Sequence, residues 1–91
     1  MTASHRAVVK IVNQKGLHAR ASAKIVEAAA RFQSRITVTK DGQSVDARSI
    51  MGLMMLAASP GSEIVIDADG PDAEAALAAV VALARAKFGE D

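Results

Sequence analysis

The residues best suited to chemistry in this sequence lie together in the segment Gly16-Leu17-His18-Ala19-Arg20. A histidine stands where a strand-like segment stops and an alanine-rich, helix-like segment begins, and an arginine follows two positions later. A helix start presents N–H groups that lack intrahelical acceptors, together with a partial positive charge, so it favours a bound anion. A histidine held there can carry a phosphoryl group on a ring nitrogen, as well as act as an acid or base. The segment therefore indicates phosphate chemistry at His18.

The residues that follow His18 are placed to contact such a phosphate. If Ala19 is the first helical residue, the N–H groups of Ala19 and Arg20 face the group on His18, and the Arg20 guanidinium adds a charge-assisted contact. In-line phosphoryl transfer requires mainly positioning and charge stabilisation. A histidine before a helix is also a common surface residue, but the preceding Gly-Leu and the following arginine favour a chemical role. His5 is expected to lie in a frayed terminus and to be inert.

Composition excludes several other classes of protein. The 91 residues predict a single domain over 1–91, and 51% hydrophobic residues with only 2% aromatics predict an aliphatic core. A net charge of +1 without a block of like charge predicts neither a nucleic-acid nor a membrane partner. The chain has no cysteine, which excludes disulfides and thiolate chemistry. We expect a cytoplasmic protein, because the first residues lack a signal-peptide pattern and the apolar run at 73–86 is too short for a bilayer.

Hydrophobic periodicity and turn residues divide the chain into seven elements. Alternation predicts strands and a 3.6-residue spacing predicts helices. The predicted elements are strands at 7–12, 35–40, 43–47 and 63–68, and helices at 19–32, 49–58 and from the 69–72 turn to about 87. Asp41-Gly42 is a strong signal for a two-residue hairpin turn. The order β-α-β-β-α-β-α favours a two-layer α+β domain, whose open sheet face carries Lys10, Thr37, Thr39 and Asp67.

The predicted second helix contains more apolar residues than one buried stripe requires. Leu53 and Leu56 would fill that stripe, which leaves Ile50, Met51 and Met54 on the outer side. Exposed methionines suit docking onto more than one partner, although such a helix could also be deeply buried. Ser49 is an ordinary helix N-cap. If it were phosphorylated, about 1.5–2 negative charges would be added at the edge of the docking surface.

The two segments Gly16–Arg20 and Ser49–Gly52, with the spacing between them, resemble the HPr family of phosphocarrier proteins. These proteins belong to the phosphoenolpyruvate-dependent phosphotransferase system. The similarity runs from Val8 to Phe88 and implies the family's open-faced β-sandwich, a four-stranded antiparallel sheet with three helices on one face. The methionine-rich helix and the run Ala-Leu-Ala-Ala-Val-Val-Ala-Leu (76–83) look more like the nitrogen-related branch, NPr, than the sugar-dedicated members.

The resemblance also implies a role for individual residues. His18 would accept a phosphoryl group on Nδ1 from enzyme I and pass it to an EIIA-type protein, for sugar uptake or nitrogen-related regulation, with Arg20 beside it. Ser49 would be the site of an HPr kinase/phosphorylase, as in some members of the family. The residues expected to dock these partners are Leu17, Ile50, Met51 and Met54. We expect a monomer that needs neither cofactor nor metal and acts as a carrier rather than as an enzyme.

One residue departs from the family pattern. The family usually has proline after the arginine, whereas this chain has Ala21. Proline lacks an N–H group, so alanine restores a donor in the first turn. We expect His18 to accept phosphate still, with the N–H of Ala21 as an additional phosphate contact.

Three other classes of function predict different sequence features. A stand-alone enzyme needs a second acid, base or metal ligand, but the sequence places none near His18. A nucleic-acid module needs aromatic residues on its sheet, and the two aromatics, Phe32 and Phe88, are predicted on helices. A regulatory adaptor that never carries phosphate and binds partners through the Ser49–Met55 helix is the main alternative. It predicts that His18 is dispensable.

Overall fold

The order of the secondary-structure elements is the predicted β-α-β-β-α-β-α. The computed structural model describes the backbone of residues 3–89 and the side chains of residues 5–89. The elements are β1 (Ala3–Lys10), α1 (Ala19–Ala29), β2 (Arg35–Lys40), β3 (Gln43–Asp46), α2 (Ile50–Met55), β4 (Glu63–Gly70) and α3 (Ala73–Arg85). None of the helices within residues 3–89 has the length and apolar character needed to cross a membrane.

The four strands form one antiparallel sheet in the order β1-β4-β2-β3. The central strand β4 pairs with β1, where Val65 lies opposite Val8, and with β2, where Ile66 lies opposite Val38. The β2–β3 hairpin turns at Asp41-Gly42, whose φ angles of 51° and 79° are both positive. Positive φ at both positions is typical of a primed two-residue turn, which confirms this prediction.

The core lies between the sheet and the three helices, which cover one of its faces. Its largest fully buried side chains are mostly aliphatic, as the composition predicts, and include Ile11, Ile25, Leu53, Ile64, Ile66, Val38 and Val80. On the other face, Lys10 is exposed, and Thr37, Thr39 and Asp67 are partly exposed. The fold is therefore the predicted open-faced β-sandwich.

The ends of several elements differ from the prediction; α1, for example, ends at Ala29 rather than near residue 32. β1 begins before residue 5, and His5 pairs with Ala68 of β4, so the expected frayed terminus at His5 is wrong. The reason is that β4 continues to Gly70, so its backbone pairs with the first residues of β1, including His5. α2 ends at Met55 rather than near residue 58, because Ala57 has a positive φ of 51°, which is incompatible with a right-handed helix.

The C-terminal part of the chain also differs in detail. α3 buries Ala76 fully, whereas the neighbouring Leu77 is only half-buried. After α3 the chain turns with positive φ at Lys87, Phe88 and Gly89. This left-handed turn places Phe88 in the core with no exposed surface, and the Lys24 ammonium donates a hydrogen bond to the Phe88 carbonyl. The aromatic ring thus closes the core from the single 3-10 turn Lys87–Gly89 that follows α3, in which Phe88 itself has left-handed backbone angles.

A polar cluster ties the start of β2 to the start of α3. The Asp72 carboxylate accepts hydrogen bonds from the Ser34 hydroxyl and from the N–H groups of Gln33 and Ser34, at 3.0 and 2.9 Å for the two N–H groups. The N–H of Asp72 donates back to the Ser34 oxygen at 3.1 Å. These contacts hold the pKa of the Asp72 carboxyl below its ordinary value. The hydrogen bond from the Ser34 hydroxyl has the largest effect, and that from the Gln33 N–H the next largest. The ionised carboxylate is therefore the form that stabilises the fold.

This cluster predicts an acid-dependent loss of stability. Because the pKa of Asp72 is lowered by folding, the ionised carboxylate contributes its full stabilisation at pH values above about 3.9, which is the pKa in the unfolded chain. This stabilisation is lost as the pH falls through the pKa of Asp72 in the folded protein. We expect Asp72→Asn to lower the free energy of unfolding at pH 7, and the difference from the unmodified protein to shrink as the pH falls below about 4. Urea unfolding followed by circular dichroism across this range measures both.

Asp69→Asn is the matched control, because Asp69 is an exposed carboxylate three residues earlier, near the end of β4. Its pH profile should follow that of the unmodified protein. A difference between Asp72→Asn and the unmodified protein that stays constant at every pH would contradict the role of the ionised carboxylate.

Candidate functional site

His18 is the N-cap residue of α1. Its backbone is extended (φ −81°, ψ −177°), and its carbonyl accepts the first intrahelical hydrogen bond, from the N–H of Ser22 at 2.9 Å. The side chain turns back onto the helix, where Nδ1 accepts a hydrogen bond from the N–H of Arg20 at 3.3 Å. The ring is half-buried. Its Nδ1 atom therefore faces the positive end of α1 at the protein surface.

The hydrogen bond to Nδ1 assigns the tautomer of the ring. Nδ1 accepts from an N–H donor, so it carries a lone pair, and the proton of a neutral imidazole then lies on Nε2. The atom that faces the helix start is accordingly the nucleophilic one.

Three N–H groups precede the first intrahelical donor of α1. They belong to Ala19, Arg20 and Ala21, since the hydrogen-bonding pattern of the helix starts with Ser22. The side chains of Ala19 and Arg20 are exposed, whereas that of Ala21 is fully buried in the core. Ala21 thus anchors the first turn through its methyl group, while its backbone remains part of the positive helix end.

The loop before His18 packs closely against the segment that follows α2. Gly16 has a positive φ of 63°, and a Cβ atom at this position would lie only 2.2 Å from the Ala58 carbonyl oxygen. The next N–H, of Leu17, donates to that same oxygen at 2.9 Å. Only glycine fits here, because both the backbone angle and the available space exclude a side chain.

Leu17 does not lie where the resemblance places it. Its side chain is 4% exposed and belongs to the hydrophobic core. The physical reason is the contact with Ala58, which turns the Leu17 backbone toward the protein and its side chain into the interior. The expectation that Leu17 docks partners is therefore corrected: its side chain packs in the core, directly before His18 in the sequence.

Ser49 is the N-cap of α2, as its sequence context predicts. Its hydroxyl oxygen accepts a hydrogen bond from the N–H of Gly52 at 3.0 Å. A Cβ atom on Gly52 would lie 3.0 Å from both that oxygen and the Cβ of Val45, so the small residue lets the helix approach its cap and β3. The half-buried Ser49 side chain is thus tied to the first turn of α2.

α2 presents an apolar surface to solvent, which we call the α2 patch. It consists of Ile50, Met51, Met54 and Met55, which are 38%, 66%, 41% and 67% exposed. Leu53 and Leu56 face the core with 0% and 4% exposure. The predicted division of this helix is confirmed, and the alternative that the helix is wholly buried is wrong. Met55 was missed, although its position four residues after Met51 places the two on the same helix face.

The α2 patch and His18 belong to neighbouring elements. α1 packs against α2, and Ala58, three residues beyond the end of α2, is bonded to Leu17 beside the histidine. A partner bound to the α2 patch would thus lie next to the end of α1 that carries Nδ1.

Within residues 5–89, the acidic and histidine side chains form no group of three or more that could hold a metal ion.

Comparison with known proteins gives consistent matches over most of the chain. Residues 5–86 match a family model described as the PTS HPr component phosphorylation site. The phosphocarrier protein HPr of Cupriavidus necator is 50% identical over 88% of this chain and 90% of its own length. The phosphocarrier protein NPr of Shewanella violacea is 43% identical over 90% of both chains. The choice between the two branches stays a prediction.

Solved structures agree with the sequence matches. HPr-C-His from Thermoanaerobacter tengcongensis superposes with a TM-score of 0.92 at 44% identity, covering 96% of this chain and 98% of that chain. A phosphocarrier protein HPr from Bacillus anthracis superposes with a TM-score of 0.86, also at 44% identity, over 90% of this chain and 98% of that chain. The chain therefore belongs to the HPr family and is a phosphocarrier protein of the phosphoenolpyruvate-dependent phosphotransferase system.

Proposed function

We propose that this phosphocarrier holds its phosphoryl group on Nδ1 of His18. The observation that carries the proposal is the hydrogen bond from the Arg20 N–H to Nδ1, which aims the nucleophilic nitrogen at the positive end of α1. His18 lies within the residues that match the family's phosphorylation-site model. His5 offers no such arrangement, because it lies within β1.

The transfer step forms one bond and breaks another. The Nδ1 lone pair attacks the phosphorus atom of phospho-enzyme I, and the donor leaves in line with the electron pair of its former bond to phosphorus. The proton on Nε2 stays in place, so the product is an N-phosphorylated imidazolium. Transfer to an EIIA-type acceptor is the same step in reverse, with an acceptor nucleophile in place of the donor.

The start of α1 would stabilise the phosphoryl group on His18. The phosphoryl group would bond to Nδ1 along the lone pair that now accepts from the Arg20 N–H, so its oxygens would accept from the N–H groups of Ala19, Arg20 and Ala21. The Arg20 guanidinium would add a charge-assisted contact. A helix end contributes only about 0.3–2 kcal/mol to a nearby anion. This modest value suits a carrier, because a strongly stabilised phosphohistidine would be transferred slowly.

The α2 patch would dock both enzyme I and the EIIA-type acceptor. Its side chains are exposed, and it adjoins the end of α1 through the Leu17–Ala58 contact. Methionines adapt to differently shaped partners, which a carrier that visits a donor and an acceptor requires. The docking residues proposed are Ile50, Met51, Met54 and Met55.

Ser49 is proposed as a regulatory phosphorylation site for an HPr kinase/phosphorylase. Its hydroxyl lies at the start of α2, directly before Ile50 of the patch. A phosphate there would add about 1.5–2 negative charges beside an otherwise apolar surface. Such a charge would repel a partner that carries its own phosphate.

The single domain, the monomeric state and the cytoplasmic location stay predictions. The first is supported by one continuous core, which contains Val9 of β1, Ile25 of α1, Leu53 of α2 and Val80 of α3. The carrier role is supported by the names of the relatives, which are phosphocarriers.

The carrier role of His18 predicts the outcome of a labelling experiment. The protein is incubated with enzyme I and phosphoenolpyruvate labelled with ³²P, and acid-labile label on the protein is counted. We expect His18→Ala to reduce the label to background, because the accepting nitrogen is removed. His5→Ala, the other histidine variant, should retain full labelling.

Label that persists in His18→Ala would overturn the proposal. A protein that takes no label in any form yet binds its partners would favour the regulatory adaptor, for which His18 is dispensable.

The charge of Arg20 predicts a slower transfer when it is removed. A hydrogen bond to a charged group contributes about 1.5–3 kcal/mol. If it acts in the transition state, Arg20→Ala should lower the rate constant for transfer from phospho-enzyme I by about 10- to 100-fold. Rapid-quench kinetics measure this rate. Arg31→Ala removes an exposed arginine beyond the other end of α1 and should transfer at the unmodified rate; equal rates for both variants would exclude a role for the Arg20 charge.

The α2 patch predicts a binding defect without a chemical one. Met51→Asp places a charge in the patch, and losing the burial of one methionine side chain, about 1.5–3 kcal/mol, should raise KM for enzyme I by tenfold or more. The kcat should stay within about twofold, because the His18 end of α1 is untouched. Ala78→Asp adds the same charge to an exposed position of α3 and should leave KM unchanged. A KM unaffected by Met51→Asp would place docking elsewhere.

A further inference from the structure

The loop between β1 and α1 contains a polar side chain that is completely buried. Asn13 is 0% exposed, and its amide nitrogen Nδ2 donates a hydrogen bond to the carbonyl oxygen of Gly16 at 2.8 Å. The N–H of Gly16 in turn donates to the Asn13 carbonyl at 3.3 Å. Asn13 thus holds Gly16 through both its side chain and its backbone, two residues before His18.

The Asn13 amide fixes one end of a single peptide group, and Ala58 fixes the other. The carbonyl of Gly16 and the N–H of Leu17 belong to the same planar peptide unit. The carbonyl accepts from Asn13, while the N–H donates to the Ala58 oxygen at 2.9 Å. Hydrogen bonds at both ends of a rigid plane determine its orientation. This peptide therefore cannot rotate without breaking a buried hydrogen bond.

The orientation of this peptide determines the direction in which the backbone enters His18. The Leu17 side chain is anchored in the core directly after the fixed plane, so the backbone reaches His18 from a set direction. His18 then adopts the extended conformation in which Nδ1 meets the N–H of Arg20. The Asn13 side chain is thus linked to the direction of Nδ1 through one peptide and one buried residue.

We propose that Asn13 is a positioning residue for phosphoryl transfer: its buried amide orients the Gly16–Leu17 peptide and thereby holds Nδ1 of His18 at the start of α1. The inference rests on the proposed function, in which His18 carries the phosphoryl group. Asn13 acts through the loop, and the property that it governs is the geometry of the reacting nitrogen rather than the binding of partners.

The test separates positioning from folding and from docking. Asn13→Ala removes the donor, and Asn13→Ser keeps a shorter polar side chain that leaves a smaller cavity and folds more readily. Ser34→Ala is the matched control, because it removes a side-chain donor that is 1% exposed from the Asp72 cluster. Each protein is first shown to be folded by circular dichroism. The kcat and KM for transfer from phospho-enzyme I are then measured, together with the ¹⁵N chemical shifts of the His18 ring.

Misplacement of a reacting atom by about 1 Å can lower a rate by about 100-fold. We expect kcat to fall by about 10- to 100-fold in Asn13→Ala and by a smaller factor in Asn13→Ser, with KM within about twofold of the unmodified value. The ring shifts should move in both Asn13 variants. Ser34→Ala should lose stability while its kcat and ring shifts stay unchanged.

Two outcomes separate the inference from the proposal on which it rests. If the unmodified protein is labelled on His18 but a folded Asn13 variant transfers with the same kcat and ring shifts, the positioning role is overturned and the carrier role stands. If the unmodified protein takes no label on His18, the carrier role itself fails. A fall in kcat that Ser34→Ala shares would show a general effect of lost stability and would also overturn the inference.

Discussion

The close approach of Gly16 and Leu17 to the Ala58 carbonyl joins the loop before His18 to the segment that follows α2. The distance of 2.2 Å that a Cβ atom on Gly16 would have to this oxygen leaves no room for a side chain, and the Leu17 N–H closes the contact with a hydrogen bond. The loop before His18 and the segment that follows α2 are therefore held together by the backbone. A protein docked on the α2 patch, as proposed, would therefore lie near Nδ1 of His18 in a position set by the backbone.

In the proposed transfer, the side chains of His18 and Arg20 act together with the backbone at the start of α1. In this proposal His18 would supply the nucleophile, while the N–H groups of Ala19, Arg20 and Ala21 supply a positive helix end that exists before any phosphate arrives. A preformed environment of this kind requires little reorganisation during transfer. In the proposed transfer, the modest stabilisation that a helix end gives to an anion would also allow the phosphoryl group to be released to an acceptor.

Local patterns predicted the element order, the Asp41-Gly42 turn and the cap position of His18, because these depend on neighbouring residues. The errors arose where distant residues decide. His5 is part of a strand because β4 reaches it, and Leu17 is buried because Ala58 holds its backbone. Phe88 enters the core through a left-handed turn that the sequence of a helix end did not signal. Asn13 could not be singled out for the same reason, because in the sequence it is only one of several residues in a polar loop.

The position of β4 in the sheet has a consequence for how the protein is made. β4 is the last strand in the chain, yet it lies between β1 and β2 and supplies the central hydrogen bonds of both. The amino-terminal strand therefore has no neighbour until most of the polypeptide has been synthesised, and pairings between residues so distant in sequence form slowly. On the ribosome, the nascent chain must keep its first strand unpaired and its apolar residues exposed until β4 emerges, so the growing chain is vulnerable to proteolysis and to misassociation during that time.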